Sequence, residues 1–269
     1  LAARKVKTPI VSVSRGWTAA TLKVRFYEAL DRLALRWMHR VVCVSEGQAV
    51  KVRKTGVRSE KVVVIRNAID ASRFAEVDPK ARPELARLFP LQTGLIVASA
   101  GRLSPEKGFT VLVEAAGQAV RAEPSLGFVL FGDGPLRQHL EERIKALNLT
   151  DRFILAGFRG DLDRLLPSAD IVVLPSFTEG LPNVALEAAA AGIPVVATEV
   201  EGATQFIQHG RNGLLVKPDD GAALAKAILE LLENDGERAT LCQCGRETAR
   251  DQYWNSYADA VIALYGRAL

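Results

Sequence analysis

From residue 94 onward the chain alternates between short runs with few polar residues and longer segments that carry an apolar stripe. Gly94 to Ala100, Leu126 to Phe131, Phe153 to Leu155, Ile171 to Leu174, Val195 to Thr198 and Leu214 to Val216 read as strands. A run of this length without polar alternation suits a strand buried on both faces, as in a parallel sheet. Thr110 to Ala122, Leu136 to Leu147, Asp161 to Leu166, Pro182 to Ala191 and Thr204 to His209 read as the helices between them. Ala222 to Glu233, Glu237 to Gln252 and Tyr253 to Leu269 read as three closing helices. Regular βα alternation predicts a doubly wound parallel sheet. Upstream, Thr8 to Ser14, Val41 to Val44 and Lys61 to Ile65 read as three further strands, with helices at Thr21 to Arg40 and Glu46 to about Lys54. Ser45 is placed to cap the second of these helices. In the first, Leu22, Phe26, Leu30, Leu33, Leu35 and Trp37 form the apolar set, with Lys23, Arg25, Arg32 and Arg36 outside it. The expectation is a stripe packed on the core; a helix lying on a membrane surface is the alternative.

At 269 residues the chain is long enough for two domains. A dinucleotide-type α/β domain has about six strands. The three found upstream make 1–75 the later part of such a domain, and the start at Leu1 rather than Met fits a missing N-terminal portion. The remaining divisions are a Pro- and charge-rich linker over 76–93 with a short helix near Pro83 to Phe89, a second domain over 94–252, and a terminal helix over 253–269.

The net charge of +4 is unevenly spread. Through Ala75 there are 16 Lys and Arg against 5 Asp and Glu, a net of +11, which leaves −7 for the remainder. A basic first domain suits an anionic partner such as a lipid headgroup or an acidic membrane surface; a solvated Arg-rich surface explains it equally well. Nucleic acid is disfavoured, because the basic residues are not interleaved with aromatics. Cys43, Cys242 and Cys244 make no disulfide framework, and no run is long and apolar enough to cross a bilayer. The expected location is the cytoplasm, with peripheral contact at the inner face of the membrane.

The chemistry gathers in two loops. Between the strands at Ile171 and Val195, Ser176 to Gly180 is a turn and Pro182 opens a helix that Gly192 closes. The amides of Gly180, Leu181, Pro182's neighbour Asn183, and Val184 lie at that helix start, where partial positive charge favours a phosphate. Glu179 stands just before the helix and Glu187 within it. A carboxylate beside a diphosphate is unfavourable unless it binds neutral hydroxyls, so the pair points to a ligand with phosphates between hydroxyl-rich groups: a nucleotide sugar. A surface Glu and a helix-face Glu would look the same in isolation. In the second loop Gly101 allows close backbone approach, and Arg102 and Lys107 supply two cations at the carboxyl end of the first strand of the sheet. Such cations suit a diphosphate leaving group.

Glu179-x7-Glu187, the preceding Pro-Ser-Phe-Thr, the following Ala-Gly-Ile-Pro-Val-Val-Ala-Thr, and Gly101-Arg102-x4-Lys107-Gly108 resemble the donor site of retaining family 4 glycosyltransferases of the GT-B fold. The resemblance covers nearly the whole chain. It implies an α/β fold of two Rossmann-like domains, the first incomplete here, with the terminal helix crossing back onto that first domain. It implies metal-independent transfer of a sugar, with retention, from a nucleotide-diphosphate donor to a hydroxyl acceptor, lipid-linked or oligosaccharide, in cell-envelope polysaccharide or glycolipid synthesis. Arg102, Lys107 and Glu179 would be the catalytic set. Gly132 and Gly134 would form the turn beside the donor, Phe158 and Arg159 the loop bordering the base, and Glu187 would take the ribose diol. No cofactor is called for. Without the acceptor-side glycine loop of the family, the chain is expected to be inactive by itself.

Two departures stand out. Arg15 occupies the position of a frequent family His, which makes it the acceptor-side candidate but not a base, and Gln205 replaces a common Glu. Both leave room for a nucleotide-sugar-binding protein without transfer activity. Asp161-x-Asp163 resembles the metal motif of the other glycosyltransferase architecture; Asp161 reads better as a helix N-cap. Cys242-x-Cys244 lacks the second ligand pair of a metal site, and His39, His139 and His209 are isolated.

Overall fold

The computed structural model describes residues 8–14, 17, 22–74, 77–250 and 254–268. The chain divides into two units, one of residues 1–68 with 252–269 and one of residues 69–251.

In the first unit, β1 (Val11–Ser14), β2 (Arg40–Cys43) and β3 (Val62–Val64) pair in parallel in that order. Helix α1 (Leu22–Leu35) joins β1 to β2, and α2 (Glu46–Lys54) joins β2 to β3. Helix α2 starts where predicted, with Ser45 Oγ accepting the Gln48 amide at 3.1 Å. Successive strand residues point to opposite faces. Val41 and Cys43 pack with Leu35, Ala49 and Val52; Val42 packs with Ile65 and with Leu264 of the C-terminal helix (Trp254–Ala268). The stripe of α1, expected in the core, is a correction: Phe26, Leu30, Leu33 and Trp37 are exposed, and Leu35 is the buried residue of the helix. At 3.6 residues per turn Phe26, Leu30 and Leu33 lie on the side of the helix away from Leu35, and Trp37 follows in the turn after its end. Trp17 instead meets the helix from the inner side, its Nε1 donating to Asp31 Oδ2 at 2.9 Å with the Arg32 guanidinium 4.8 Å from its ring centre.

The second unit is built on six parallel strands: β4 (Ile96–Ala100), β5 (Gly127–Phe131), β6 (Phe153–Gly157), β7 (Ile171–Leu174), β8 (Val195–Thr198) and β9 (Leu214–Val216). Their order across the sheet is β6-β5-β4-β7-β8-β9. Both faces are covered. Ile96, Ala98, Val172 and Leu174 face one layer of helices, and Val97, Phe128, Ile171 and Val173 the other. These alternating burials explain why the strands read as unbroken apolar runs.

Residues 77–93, within the segment expected as a linker over 76–93, fall in this unit. Helix α3 (Ala81–Ala86) buries Ala81 and Leu85, and Phe89 joins the same core as Ile96 and Val129. Arg82 fastens it further, donating to Asp170 Oδ2 at 2.6 Å and to the Ser168 carbonyl at 2.8 Å. The charge and Pro content that suggested a linker serves a surface helix docked by Leu85 and Phe89. Between the strands run α4 (Phe109–Ala122), α5 (Arg137–Ala146), the one-turn α6 (Leu162–Leu165), α7 (Asn183–Ala191) and the one-turn α8 (Glu201–Thr204). Helices α9 (Gly221–Glu233) and α10 (Asp235–Arg250) close the unit. Helix α8 ends where a helix over Thr204 to His209 was expected to begin. The Asn212 side chain is the reason: its amide donates to the Phe206 carbonyl at 2.9 Å and its Oδ1 accepts the Gln208 N–H at 2.7 Å, so that stretch is held as a loop anchored by the buried Phe206 and Ile207.

Candidate functional site

Strand β4 lies between β5 and β7, so the chain leaves it in one direction across the sheet and returns to start in the other. The loops after β4 and β7 therefore diverge at the carboxyl edge, at the switch point where open α/β sheets bind ligands. These are the two loops that carry the candidate chemistry.

The loop after β4 is rigid by construction. Leu103 is fully buried, its amide donating to the Asp133 carbonyl at 3.0 Å and its carbonyl accepting the Leu136 amide at 2.9 Å. Gly132 and Gly134 make this stitching possible. A Cβ at Gly132, where φ is +128, would lie 1.9 Å from the Gly101 carbonyl oxygen, and one at Gly134 2.5 Å from that of Leu103. So Gly132 and Gly134 let the loop after β5 lie backbone to backbone on the loop after β4, at Gly101 and at Leu103, while a Cβ at Gly101 itself would meet the Phe109 ring at 3.2 Å.

The loop after β7 packs on the loop after β4 just as closely. The Phe177 amide donates to the Glu106 carbonyl at 2.9 Å, and a Cβ at Gly108, with φ +64, would sit 2.0 Å from the Pro175 carbonyl oxygen. Across this contact Lys107 Nζ lies 2.7 Å from Glu179 Oε1, with side-chain exposures of 27% and 9%. The same carboxylate oxygen accepts the Ser176 hydroxyl at 2.6 Å. Arg102 is exposed on the β4 loop. The structure thus brings Lys107 and Glu179 together, with Gly180, Leu181 and Pro182 following directly. Pro182 is the cap residue of α7 rather than its first helical residue, and it makes no side-chain capping hydrogen bond.

Glu187 sits one turn further along α7, half-buried. Burial pushes its carboxyl above the ordinary carboxylate range; Arg73 pulls it back down, and Asp163 adds to the rise. Arg73 is itself paired to Asp163 at 2.7 Å.

The loop after β6 carries Phe158 and Arg159. Phe158 is 81% exposed. The Arg159 side chain is committed within the protein: its guanidinium donates two hydrogen bonds to the Asp161 carboxylate, each 2.8 Å, and one to Glu84 Oε1 at 2.7 Å. Arg164 completes the cluster through Glu84 at 2.6 Å, Asp161 at 2.8 Å and Asp78 at 3.1 Å. Asp161 precedes α6 but makes no capping hydrogen bond; its carboxylate is committed to the two guanidiniums. Those hydrogen bonds, Arg159 first, hold it far below the usual range. Asp163, the second acid of the Asp-x-Asp pattern, goes to Arg73, and among the described residues no group of three or more His, Cys, Asp or Glu is placed to hold a metal ion. His39 and His209 each accept a backbone amide, from Ile10 at 2.9 Å and Leu215 at 3.0 Å, and His139 is exposed. Gln205 lies beside Glu201, whose carbonyl it contacts at 3.3 Å. Arg15 lies outside the described residues.

Sequence reasoning missed Ser176, Thr198 and Gly202. Thr198, the last residue of β8, donates its hydroxyl to the Ser176 carbonyl, and Gly202 lets the next loop approach, a Cβ there falling 2.4 Å from the Glu179 carbonyl oxygen. Their signal was their place at strand ends flanking the acidic motif. Among the described residues no helix is long and apolar enough to cross a membrane.

Comparison with known proteins agrees with this architecture. The 2-deoxystreptamine glucosyltransferase of Streptomyces kanamyceticus is 30% identical over 247 residues, 90% of this chain. The UDP-Gal:alpha-D-GlcNAc-diphosphoundecaprenol alpha-1,3-galactosyltransferase of Escherichia coli is 27% identical over 212 residues, 77% of this chain. The chain spans 64% and 55% of the lengths of these two relatives. The crystal structure of Anabaena HepE in complex with UDP and glucose superposes with a TM-score of 0.88 and 26% identity, covering all of this chain and 74% of that one. The fold is that of the GT-B glycosyltransferases. Residues 1–73 match the Glycosyltransferase Family 4 domain and residues 94–234 match Glycosyl transferases group 1; the chain belongs to the glycosyl transferases group 1 family.

Proposed function

We propose that this protein transfers a sugar from a nucleotide-diphosphate donor to a hydroxyl acceptor, with retention of anomeric configuration. The observation that carries the proposal is the 2.7 Å contact of Lys107 with Glu179 across the switch point of the second sheet. It puts a cation, a carboxylate and a helix start within one short stretch of surface. Lys107 and Arg102 bind the diphosphate and stabilise the charge that accumulates as it leaves. The amides from Gly180 to Val184 cradle the distal phosphate. Glu179 accepts from sugar hydroxyls and Glu187 from the ribose diol. Gly101, Gly132 and Gly134 keep the floor low, and the loop of Phe158 and Arg159 borders the base through main-chain atoms, the Arg159 side chain serving to anchor it. In the transfer step the bond from the anomeric carbon to the phosphate oxygen breaks. The acceptor oxygen bonds to that carbon from the same face, and its proton passes to the leaving phosphate. The positive charge needed is supplied by side chains, so the reading calls for no metal and no cofactor.

The acceptor is proposed to be a lipid-linked or oligosaccharide hydroxyl in cell-envelope polysaccharide or glycolipid synthesis. The galactosyltransferase relative, whose name specifies a diphosphoundecaprenol substrate, supports this. The exposed apolar and basic face of α1 supports peripheral contact with an anionic membrane from the cytoplasmic side. Arg15, in place of a His frequent in the family, keeps a second reading open: donor binding without transfer. Among the described residues the first unit has three strands, where a complete domain of this type has about six, so transfer by these 269 residues alone is not expected, and donor binding is the direct test.

A panel of nucleotides and nucleotide sugars is scored by thermal shift. A donor at a hundred times its Kd stabilises by about 2.7 kcal/mol, or roughly 5–10 °C for a unit of this size. Lys107→Met and Arg102→Ala are expected to abolish most of that shift. Where transfer is measured, Arg102→Ala should also slow it by about 3 kcal/mol of lost leaving-group stabilisation. A shift by no nucleotide sugar, or an unchanged shift in both variants, would sink the proposal.

A further inference from the structure

Glu179 Oε1 accepts two hydrogen bonds, from Lys107 Nζ at 2.7 Å and from Ser176 Oγ at 2.6 Å. The two donors are differently placed. Lys107 is partly exposed and sits on a flexible stem, able to turn toward an arriving diphosphate. Ser176 is 2% exposed, and its backbone carbonyl is held by the hydroxyl of Thr198, itself 1% exposed at the end of β8. When Lys107 turns away, the nearly buried Glu179 carboxylate loses its counter-charge, and a carboxylate in that state needs a fixed donor to stay in place.

We propose that Ser176, locked by Thr198, is the positioning residue that keeps Glu179 aimed at the sugar once Lys107 has moved to the diphosphate. This rests on the donor-site reading above and adds to it a division of labour. One oxygen of Glu179 is held by the protein, and Oε2 is left for the sugar hydroxyls. Ser176 acts only through Glu179, so its removal should be felt by the sugar and not by the diphosphate.

The test compares two probes by calorimetry: UDP, and whichever of UDP-glucose and UDP-galactose binds the wild type more tightly. Ser176→Ala is expected to leave the Kd for UDP within about twofold and to weaken the UDP-sugar roughly tenfold, the value of a hydrogen bond to a charged group. Thr198→Val should do the same to a smaller extent, and Thr198→Ser, which keeps the hydroxyl, should restore binding. In a Glu179→Ala background Ser176→Ala should cost nothing further, because the two act as one unit. Equal weakening of UDP and UDP-sugar by Ser176→Ala, or independent multiplication of the Ser176 and Glu179 effects, overturns the inference while leaving the donor site standing. A wild type that binds no nucleotide sugar of the panel overturns both.

Discussion

Gly108 is the position where the two loops of the site are packed most tightly, and its replacement by alanine isolates that packing. Two costs are combined there. Gly108 has φ +64, where a Cβ costs roughly 1–2 kcal/mol. Its Cβ would also lie 2.0 Å from the Pro175 carbonyl oxygen, and the neighbour is backbone that cannot rotate away. Ordinary contact requires the loops to part by more than about 1 Å, and overpacking of this kind costs a further 1–3 kcal/mol or so. Gly210 provides the control. It has φ +74 but nothing within 4 Å of its Cβ position, so Gly210→Ala carries the conformational cost alone. The expected losses are about 2–5 kcal/mol for Gly108→Ala and about 1–2 kcal/mol for Gly210→Ala. At roughly 2–4 °C per kcal/mol, the two differ by several degrees in Tm. Binding separates them further. Parting the loops moves Lys107 away from Glu179 by about the displacement that costs a hundredfold in a positioned site, so Gly108→Ala should lose donor affinity and Gly210→Ala should not. If the two variants match in both Tm and donor affinity, the close approach of the two loops is not what builds the site.

Three further outcomes follow from the same coordinates. Gly202→Ala places a Cβ 2.4 Å from the Glu179 carbonyl oxygen and is expected to weaken UDP-sugar binding at least tenfold by displacing that loop; unchanged affinity by calorimetry would refute it. Glu187 has its folded-state pKa raised by burial, so its contribution to stability is present in full below about pH 4 and is lost as pH rises through the raised value. Glu187→Gln should therefore be more stable than the wild type in urea at pH 7, with the difference vanishing near pH 4; a wild type that is the more stable at pH 7 reverses the sign and the argument. Phe26→Ser with Trp37→Ser should reduce co-sedimentation with vesicles containing phosphatidylglycerol and leave Tm within a degree or so, because both side chains are exposed; equal binding by the double variant removes α1 as the contact.

Strand and helix positions in the second unit could be read from the chain because β4 to β9 are covered on both faces. Ile171 to Leu174 and Val195 to Thr198 have no solvent side, and their sequences show none. Helix α1 misled for the opposite reason. Phe26, Leu30, Leu33 and Trp37 have the spacing of a core stripe, and spacing reports that a face is apolar without saying what covers it. The 76–93 segment misled because charge density was taken as exposure of the backbone. Arg82, Glu84 and Asp78 are charged residues that fasten a docked helix, through Asp170, Arg159 and Arg164. Asp161 is the same case in miniature, an acidic residue before a helix whose carboxylate is taken by two guanidiniums.

The site was legible in its residue types and illegible in its distances. Glu179 and Lys107 are 72 residues apart, and no periodicity in the chain says that they touch. What joins them is strand order. Because β7 is laid beside β4 rather than beside β6, the strand that precedes it in the chain, two loops from distant segments open at the same edge. That choice is made by the paired strands, Val97 beside Ile171 and Ala98 beside Val172, and by Ser99, whose buried hydroxyl donates to the Val173 carbonyl at 2.6 Å. A buried polar group must find its partner, so Ser99 holds β4 against β7 at the point where the site opens. The glycines then set how near the loops come, Gly108 against Pro175 and Gly132 against Gly101. Chemistry-bearing residues and spacing-setting residues thus occupy different positions in the sequence. A reader of the chain finds the first by their charge, and the second only once the strands have been put in order.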